Sequence, residues 1–300
     1  MKIFRHLPEA RTAAAVTIGN YDGLHLGHQR ILELLISESK LRNIEAAVLT
    51  FEPHPKEFFS PATAPSRIIS LREKLEFFEE LKIDRVYIIK FNKNFSDITS
   101  EGFIKLLKVI KTELVVVGQD FKFGNRREGT INDISRNKID VIGIKEIKLG
   151  KERISSTTIR DALSEGDLIK AHAYMGRSYC ISGKVIHGEK LGREIGYPTA
   201  NIHMLHNRPP LKGVFAVKLG DNYGVANLGT RPTIAGISKL HLEVHLFNFT
   251  NDIYGQHVRV TFLKKIRDEI KFKSINDLKK QIQIDVENAK TYIKNYDRRK

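Results

Sequence analysis

Ala13-Ala14-Ala15-Val16-Thr17-Ile18-Gly19-Asn20-Tyr21-Asp22-Gly23-Leu24-His25-Leu26-Gly27-His28 opens as an apolar run, breaks at two glycines and continues into a helical stripe at Ile31, Leu34, Leu35 and Leu41. An apolar run without polar alternation is what a strand buried on both faces requires. Four further runs have this character: Ala46 to Phe51, Val86 to Phe91, Leu114 to Gly118 and Val141 to Ile144. Amphipathic stretches lie between them, one of which carries Leu71, Leu75, Phe78 and Leu81. Strands that alternate with helices pair in parallel through crossovers, so this part of the chain is expected to form a doubly wound parallel α/β sheet. Its ligand site belongs at the carboxyl ends of the strands.

The period changes after Tyr174-Met175-Gly176. From Tyr179 to Lys264 the runs alternate in steps of two: Gly213 to Val217, Tyr223 to Leu228, His241 to Phe247 and Val258 to Phe262, with Gly220-Asp221-Asn222 as a turn. That pattern predicts an antiparallel β-barrel. One long closing helix follows, in which Ile275, Leu278, Ile282, Val286, Ala289 and Ile293 recur at steps of three and four. Two domains are expected, residues 1–175 and 176–300.

The 300 residues carry 50 Lys and Arg against 35 Asp and Glu, a net charge of +15, with 41% hydrophobic and 28% charged content. This is the composition of a folded chain rather than a disordered one. The positive excess fits polyanionic partners, whether nucleic acid or nucleotide phosphates, and a Lys-rich solvated surface such as Lys271 to Lys300 accounts for it equally well. The barrel strands lack the basic stripe interleaved with exposed aromatics that stacking on single strands requires, so nucleic acid is not expected as a partner. Cys180 is the only cysteine, which excludes an intramolecular disulfide. Met1 to Arg11 has no apolar core of a signal peptide, and no stretch is long and uncharged enough to span a bilayer. A cytoplasmic protein without a membrane partner is the expectation.

Gly19 and Gly23 permit a tight turn, and a helix entered near Leu26 aims free N–H groups at the space above the first strand, a setting for phosphate. His25 and His28, three apart, share a face of the first turn and can both donate to charge growing on a phosphate chain. Phe51-Glu52-Pro53-His54-Pro55 and Gly118-Gln119-Asp120-Phe121-Lys122-Phe123-Gly124 follow other strands at the same edge. Phe121 and Phe123 there can pack a flat ring or serve as core. Arg153-Ile154-Ser155-Ser156-Thr157-Thr158-Ile159-Arg160 places hydroxyls and guanidinium groups before another helix, a pattern that by itself is only an N-cap. Beyond residue 176, Gly196-Tyr197-Pro198-Thr199-Ala200-Asn201 offers a hydroxyl and an amide oxygen, suitable chemistry for Mg²⁺. Alternation sets Glu243 and His245 on the strand face opposite Leu242, Val244 and Leu246.

The first of these motifs resembles the His-x-Gly-His loop of the nucleotidyltransferase superfamily, Arg153 to Arg160 resembles its second ATP motif, and Pro198 to Asn201 resembles the Pro-Thr-Ala-Asn motif of riboflavin kinases. In this order, from Ala14 to Ala289, they resemble the bifunctional prokaryotic riboflavin kinase/FAD synthetase family. The resemblance implies an N-terminal FMN adenylyltransferase domain and a C-terminal riboflavin kinase barrel, with riboflavin, FMN and ATP as substrates, FAD as product and Mg²⁺ as cofactor. It implies catalytic roles for His25, His28 and Glu243. Ligand binding falls by the same resemblance to Gly19, Asp22, Gly23, His54, Asp120, Phe123, Arg153, Ser155, Ser156, Thr157, Arg160, Gly183, Gly188, Thr199, Asn201 and Arg267, with Thr199 and Asn201 on the metal. Gly183 to Gly188 and Leu191-Gly192-Arg193 would form a flap over the nucleotide. Tyr21, Lys122 and Asn248 depart from the family pattern, which has phenylalanine, arginine and aspartate there. The alternative is a single-activity nucleotidyltransferase whose basic barrel is a binding module. Oligomeric state is not legible.

Overall fold

The computed structural model describes every residue except 189–191, 193–194, 206–207, 232–238 and 299–300. The chain forms two compact units, Met1–Pro65 with Lys74–Ser155, and Ser66–Glu73 with Ser156–Lys300. The residues between the end of the first unit and 175 therefore pack with the barrel that follows them.

The first unit contains β1 (Lys2–Phe4), β2 (Ala14–Ile18), α1 (Leu26–Arg42), β3 (Glu45–Glu52), α2 (Pro55–Phe59), most of α3 (Leu71–Glu80), β4 (Arg85–Lys90), α4 (Lys93–Ser96), α5 (Ser100–Val109) and β5 (Thr112–Gly118). It continues with the short pair β6 (Lys122–Phe123) and β7 (Gly129–Thr130), α6 (Ile131–Arg136), β8 (Asp140–Ile144), and the pair β9 (Lys148–Leu149) and β10 (Glu152–Arg153). Six strands make one parallel sheet in the order β1-β4-β3-β2-β5-β8. All five residues of β2 are buried, as the unalternating run requires. Val16, Leu49, Tyr87, Val115 and Leu107 share one core. Helix α1 turns Leu32, Leu35 and Ser39 inward, whereas Leu41 is 81% exposed. The expected stripe fails there because six residues of helix carry Leu41 about 120° around the axis from Leu35.

The second unit adds α7 (Ser156–Glu165), α8 (Leu168–Met175), β11 (Cys180–Ile186), β12 (Ala200–Met204), β13 (Gly213–Leu219), β14 (Asn222–Arg231), β15 (Lys239–Leu246), β16 (His257–Arg267) and α9 (Ile275–Asp297). The six strands close into an antiparallel barrel, β11-β12-β15-β14-β13-β16. Buried Phe215 and Phe262 meet edge to face at 5.3 Å. Helix α9 lays Val286, Ala289 and Ile293 against Val214, Ala216 and Val225, three residues on one face of neighbouring strands. Its first apolar residue, Ile275, stays exposed. Among the described residues, no helix is long and apolar enough to cross a membrane.

The segment Ser66–Glu73 is tied to the barrel by a buried carboxylate. Glu73 Oε1 accepts from the Ser182 N–H at 2.6 Å and the Ser182 hydroxyl at 2.9 Å, and Oε2 accepts from the Ser70 N–H at 2.7 Å. The Ser70 hydroxyl in turn accepts from the Glu73 N–H at 3.2 Å, the reciprocal pattern of a capping box. Glu73→Ala leaves these buried donors without their acceptor, so we expect a loss of about 3 kcal/mol of stability, the scale of a charge-assisted hydrogen bond. Urea unfolding should register it as a lowered midpoint, whereas Leu41→Ala should not shift the midpoint.

Candidate active sites

In the parallel sheet the chain passes from β2 to β3 on one side and later lays β5 on the other side of β2. The loops after β2 and β5 diverge at this switch point, where open sheets bind ligands. A cavity of about 1280 Å³ is lined there by Gly19 and Asn20 after β2, His54 after β3, and the segment from Asp120 to Arg127 after β5.

The loop after β2 is shaped by its backbone. Gly23 takes φ 82°, and Tyr21 and Leu24 also adopt positive φ, 51° and 43°. Tyr21 is buried and its hydroxyl is hydrogen-bonded to that of Thr17. Burial pushes the phenol far above its ordinary range, so it stays neutral, and the tyrosine that stands where phenylalanine is usual keeps its extra oxygen satisfied. Helix α1 begins at Leu26, capped by His25, whose Nδ1 accepts from the His28 N–H at 3.3 Å. The His25 and His28 rings stack, centroids 3.6 Å apart and 19° from parallel. Asp22 and His25 are buried. The five residues expected to act together, Gly19, Asp22, Gly23, His25 and His28, thus lie on the loop after β2 and the first turn of α1.

The cavity walls are aromatic and cationic. Phe91 touches Phe51, Phe58 and Phe95 at 5.9, 5.7 and 5.8 Å, and all four line the space. Phe123 is both core and lining: it is buried, packs 5.0 Å from Phe103 and 5.8 Å from Phe121, and faces the same cavity. Lys56, Lys93, Lys122, Arg126 and Arg127 stand against two carboxylates, Asp97 and Asp120, which favours an anionic ligand. His54 caps α2, its Nδ1 accepting from the Lys56 N–H at 3.1 Å. Arg153 pairs with Asp120 at 3.1 Å and with Glu146 at 2.5 Å. The remainder of that motif is divided: Ser155 ends the first unit, while Ser156, Thr157 and Arg160 belong to α7 in the second, where Arg160 Nε donates to the Ser66 carbonyl at 2.6 Å.

On the barrel, a cavity of about 270 Å³ brings together Thr199, Asn201, Glu243 and Arg267, with Asn227, His245, Glu269 and Phe272. Strand register does this. Glu243 pairs with Asn201 on β12 and with Asn227 on β14, so three polar residues lie side by side. They share a face with Val214 and Val225, on which α9 packs, and Leu278, Ile282 and Asp285 of that helix complete the wall. His245 Nδ1 lies 2.8 Å from the Pro198 carbonyl. A second cavity of about 450 Å³ shares Thr199 and is lined by Pro198, Val185, Leu246, Phe249 and Tyr254. The Tyr254 ring lies 3.9 Å from that of His187. Asn248, at the turn after β15, has φ 52°, a conformation that asparagine tolerates well.

The flap expectation needs correction. Gly183 to Ile186 are barrel wall, all paired to β12 and the first two to β16 as well, and a Cβ on Gly183 would fall 2.4 Å from the His203 carbonyl oxygen. Gly183 is glycine because backbone approaches it, and it does not line either cavity. Only His187 and Gly188 leave the strand; Leu191 and Arg193 lie outside the described residues. Gly188 abuts the Asn201 amide, where a Cβ would fall 2.2 Å from Nδ2, and Gly192 lies beside Thr199.

Residues 7–158 match the family model described as FAD synthetase, and residues 175–293 the one described as riboflavin kinase. A protein of Haemophilus influenzae described as bifunctional riboflavin kinase/FMN adenylyltransferase is 44% identical, the match covering 97% of this chain and 99% of that protein. The Escherichia coli K12 protein of the same description is 40% identical over 97% and 98%. This chain belongs to the bifunctional riboflavin kinase/FMN adenylyltransferase family. It phosphorylates riboflavin with ATP to give FMN, then transfers the adenylyl group of a second ATP to FMN, giving FAD and pyrophosphate. The single-activity alternative falls, since a kinase family covers the barrel. A crystal structure described as a macrolide-efflux protein of Streptococcus pneumoniae superposes with a TM-score of 0.79 at 28% identity, covering 95% of this chain and 97% of that one. That likeness concerns the fold; the efflux description belongs to that protein.

Gly188 supplies a test of the geometry. Gly188→Ala forces the Asn201 amide aside, and a displacement of about 1 Å in such a site costs on the order of a hundredfold in rate. Riboflavin phosphorylation should fall by that scale, while FAD formation from supplied FMN stays at the parent rate in the same preparation.

Proposed function

We propose that the modules 1–175 and 176–300 divide the two reactions, adenylyl transfer at the carboxyl edge of the parallel sheet and phosphorylation in the barrel cavity beneath α9. The observation that carries the second assignment is the register Asn201–Glu243–Asn227, which sets an acid side chain among neutral polar ones beside Thr199.

The two nucleophiles differ, and so do the groups offered to them. FMN attacks with a phosphate oxygen that is already ionised, so adenylyl transfer needs no base; it needs charge spread over the α-phosphate and the departing pyrophosphate. The α1 N-terminus receives phosphate through its N–H groups, and His28 with His25 donates toward the phosphorus oxygens. Charge on both rings at 3.6 Å would be repulsive, so the stacked pair works as hydrogen-bond donors rather than as two cations. The isoalloxazine ring packs in the phenylalanine cavity, with Phe123 in its wall, His54 at its rim and Asp120 accepting from a hydroxyl. Arg153 and Ser155, the part of their motif that belongs to the first unit, serve the triphosphate.

Riboflavin attacks with an alcohol, and an alcohol needs its proton removed. Glu243 takes the proton of the terminal ribityl hydroxyl as its oxygen bonds to the γ-phosphorus, and the bond to the bridging oxygen of ADP breaks. ATP lies on the Thr199 and Pro198 side, in the 450 Å³ cavity, and riboflavin lies on the Glu243 and Arg267 side; Thr199, common to both, stands where the phosphates end. A hydroxyl and an amide oxygen suit Mg²⁺, and no group of three His, Cys, Asp or Glu that could hold a metal occurs among the described residues, so the ion would rest on Thr199, Asn201, water and substrate phosphates. When bound, Mg²⁺ neutralises phosphate charge.

His28→Ala should let FMN accumulate from riboflavin while FAD formation falls at least about tenfold, the scale of a lost transition-state donor. Chromatography of the flavins over time reads both steps, and undiminished FAD synthesis would remove His28 from the chemistry. Glu243→Gln keeps size and polarity but loses basicity, so phosphorylation should drop roughly a hundredfold, within the range of general bases. Supplied FMN should still become FAD at the parent rate. Near-normal kinase turnover would return Glu243 to a structural role.

A further inference from the structure

The guanidinium of Arg267, at the end of β16, is held by a carboxylate outside every motif above. Asp285 lies on α9 and is only 3% exposed. Arg267 Nε donates to its two oxygens at 2.8 and 3.0 Å, and Nη2 donates to Oδ2 at 2.7 Å. Gln281 Nε2, one turn earlier, donates to Oδ1 at 3.0 Å. Arg267 Nη1 donates to the Asp268 carbonyl at 2.8 Å, and the guanidinium carbon stands 5.8 Å from the centre of the Phe272 ring. Arg267, Phe272 and Asp285 all line the cavity that contains Glu243.

A buried carboxylate paired in this way cancels the cation beside it, so the pair presents no net charge to a triphosphate. What remains is geometry. Arginine carries its donors in a planar fork, and a bidentate carboxylate fixes the plane of that fork. A fixed, locally neutral fork matches uncharged oxygen acceptors, the carbonyls of a flavin ring or the hydroxyls of its chain, better than phosphate.

We infer that Asp285 is a positioning residue for the flavin: acting through Arg267, it sets recognition of riboflavin and not of ATP. The inference rests on the assignment of this cavity to riboflavin phosphorylation. Because Asp285 sits in the middle of α9, it makes the closing helix part of substrate recognition rather than only a cover for the barrel.

The test uses the full chain with Asp285→Asn, Arg267→Lys, the double variant and Glu243→Gln. Losing the bidentate bond should raise the riboflavin KM about tenfold in each of the first two, with kcat and the ATP KM within about twofold. The double variant should be no worse than the worse single, because the two residues act as one unit. FMN adenylylation should not change. An unchanged riboflavin KM, a raised ATP KM or additive losses in the double variant would overturn the inference. Should Asp285→Asn lose cooperative unfolding, Arg267→Lys decides alone, and an unchanged riboflavin KM overturns it. If only Glu243→Gln loses phosphorylation, the cavity assignment stands without the role of Asp285; if no variant affects phosphorylation, both fall.

Discussion

Glu243 is fixed from both sides. Its strand pairs with Asn201 on one neighbour and Asn227 on the other, and a slip of one residue would exchange Glu243 and His245 for Leu242, Val244 and Leu246. Those three aliphatic side chains are buried, and removing each from the interior costs on the order of 1.5–3 kcal/mol. The hydrophobic effect on one face therefore holds the polar constellation on the other. Glycine completes the wall where backbone must come close: a Cβ on Gly229 would fall 1.8 Å from the Glu269 carboxylate, just as one on Gly188 would meet the Asn201 amide.

The sheet reaches the same end by topology. A chain that returns to the far side of its own strand leaves two loops diverging, and the loops after β2 and β5 carry the motifs Gly19 to His28 and Gly118 to Gly124. Between them the walls are phenylalanine, which supplies area for a flat ring without demanding hydrogen bonds. The turn from Tyr21 to His25, with its positive-φ residues and the Thr17–Tyr21 bond, leads from β2 directly into the N-terminus of α1.

Period was legible and contact was not. The parallel strands, the barrel and the closing helix follow from runs, alternation and three- or four-residue steps, because burial imposes those patterns directly. Strand β1 escaped since three residues have no period, and β12 escaped because Ala200 and Asn201 read as the end of a turn motif. Phe58, Phe91 and Phe95 carry no mark that separates cavity lining from core. Asp285 could not be found at all: its link to Arg267 joins a strand end to a helix interior, 18 residues apart, and no spacing rule relates them. The residues of Ser156 to Arg160 were legible as a motif, while their packing into the second unit depends on apolar contacts such as those of Ile159 and Leu163, which the motif does not contain.

The net charge of +15 invites a reading in which free cations gather the phosphates, and the side chains do not support so simple a picture. Arg153 is shared between Asp120 and Glu146, Arg267 is bound to Asp285, and Lys93 is paired with Asp97 at 2.7 Å. Each cation is thereby given a direction and loses most of its long-range field. In the sites proposed above, selectivity for nucleotide and flavin then depends less on charge than on donors of fixed geometry: the N–H groups that open α1, the stacked imidazoles, and a guanidinium held in plane. A site built in this way discriminates by where its ligand's oxygens lie, which is what two successive reactions on closely related flavins require of one chain.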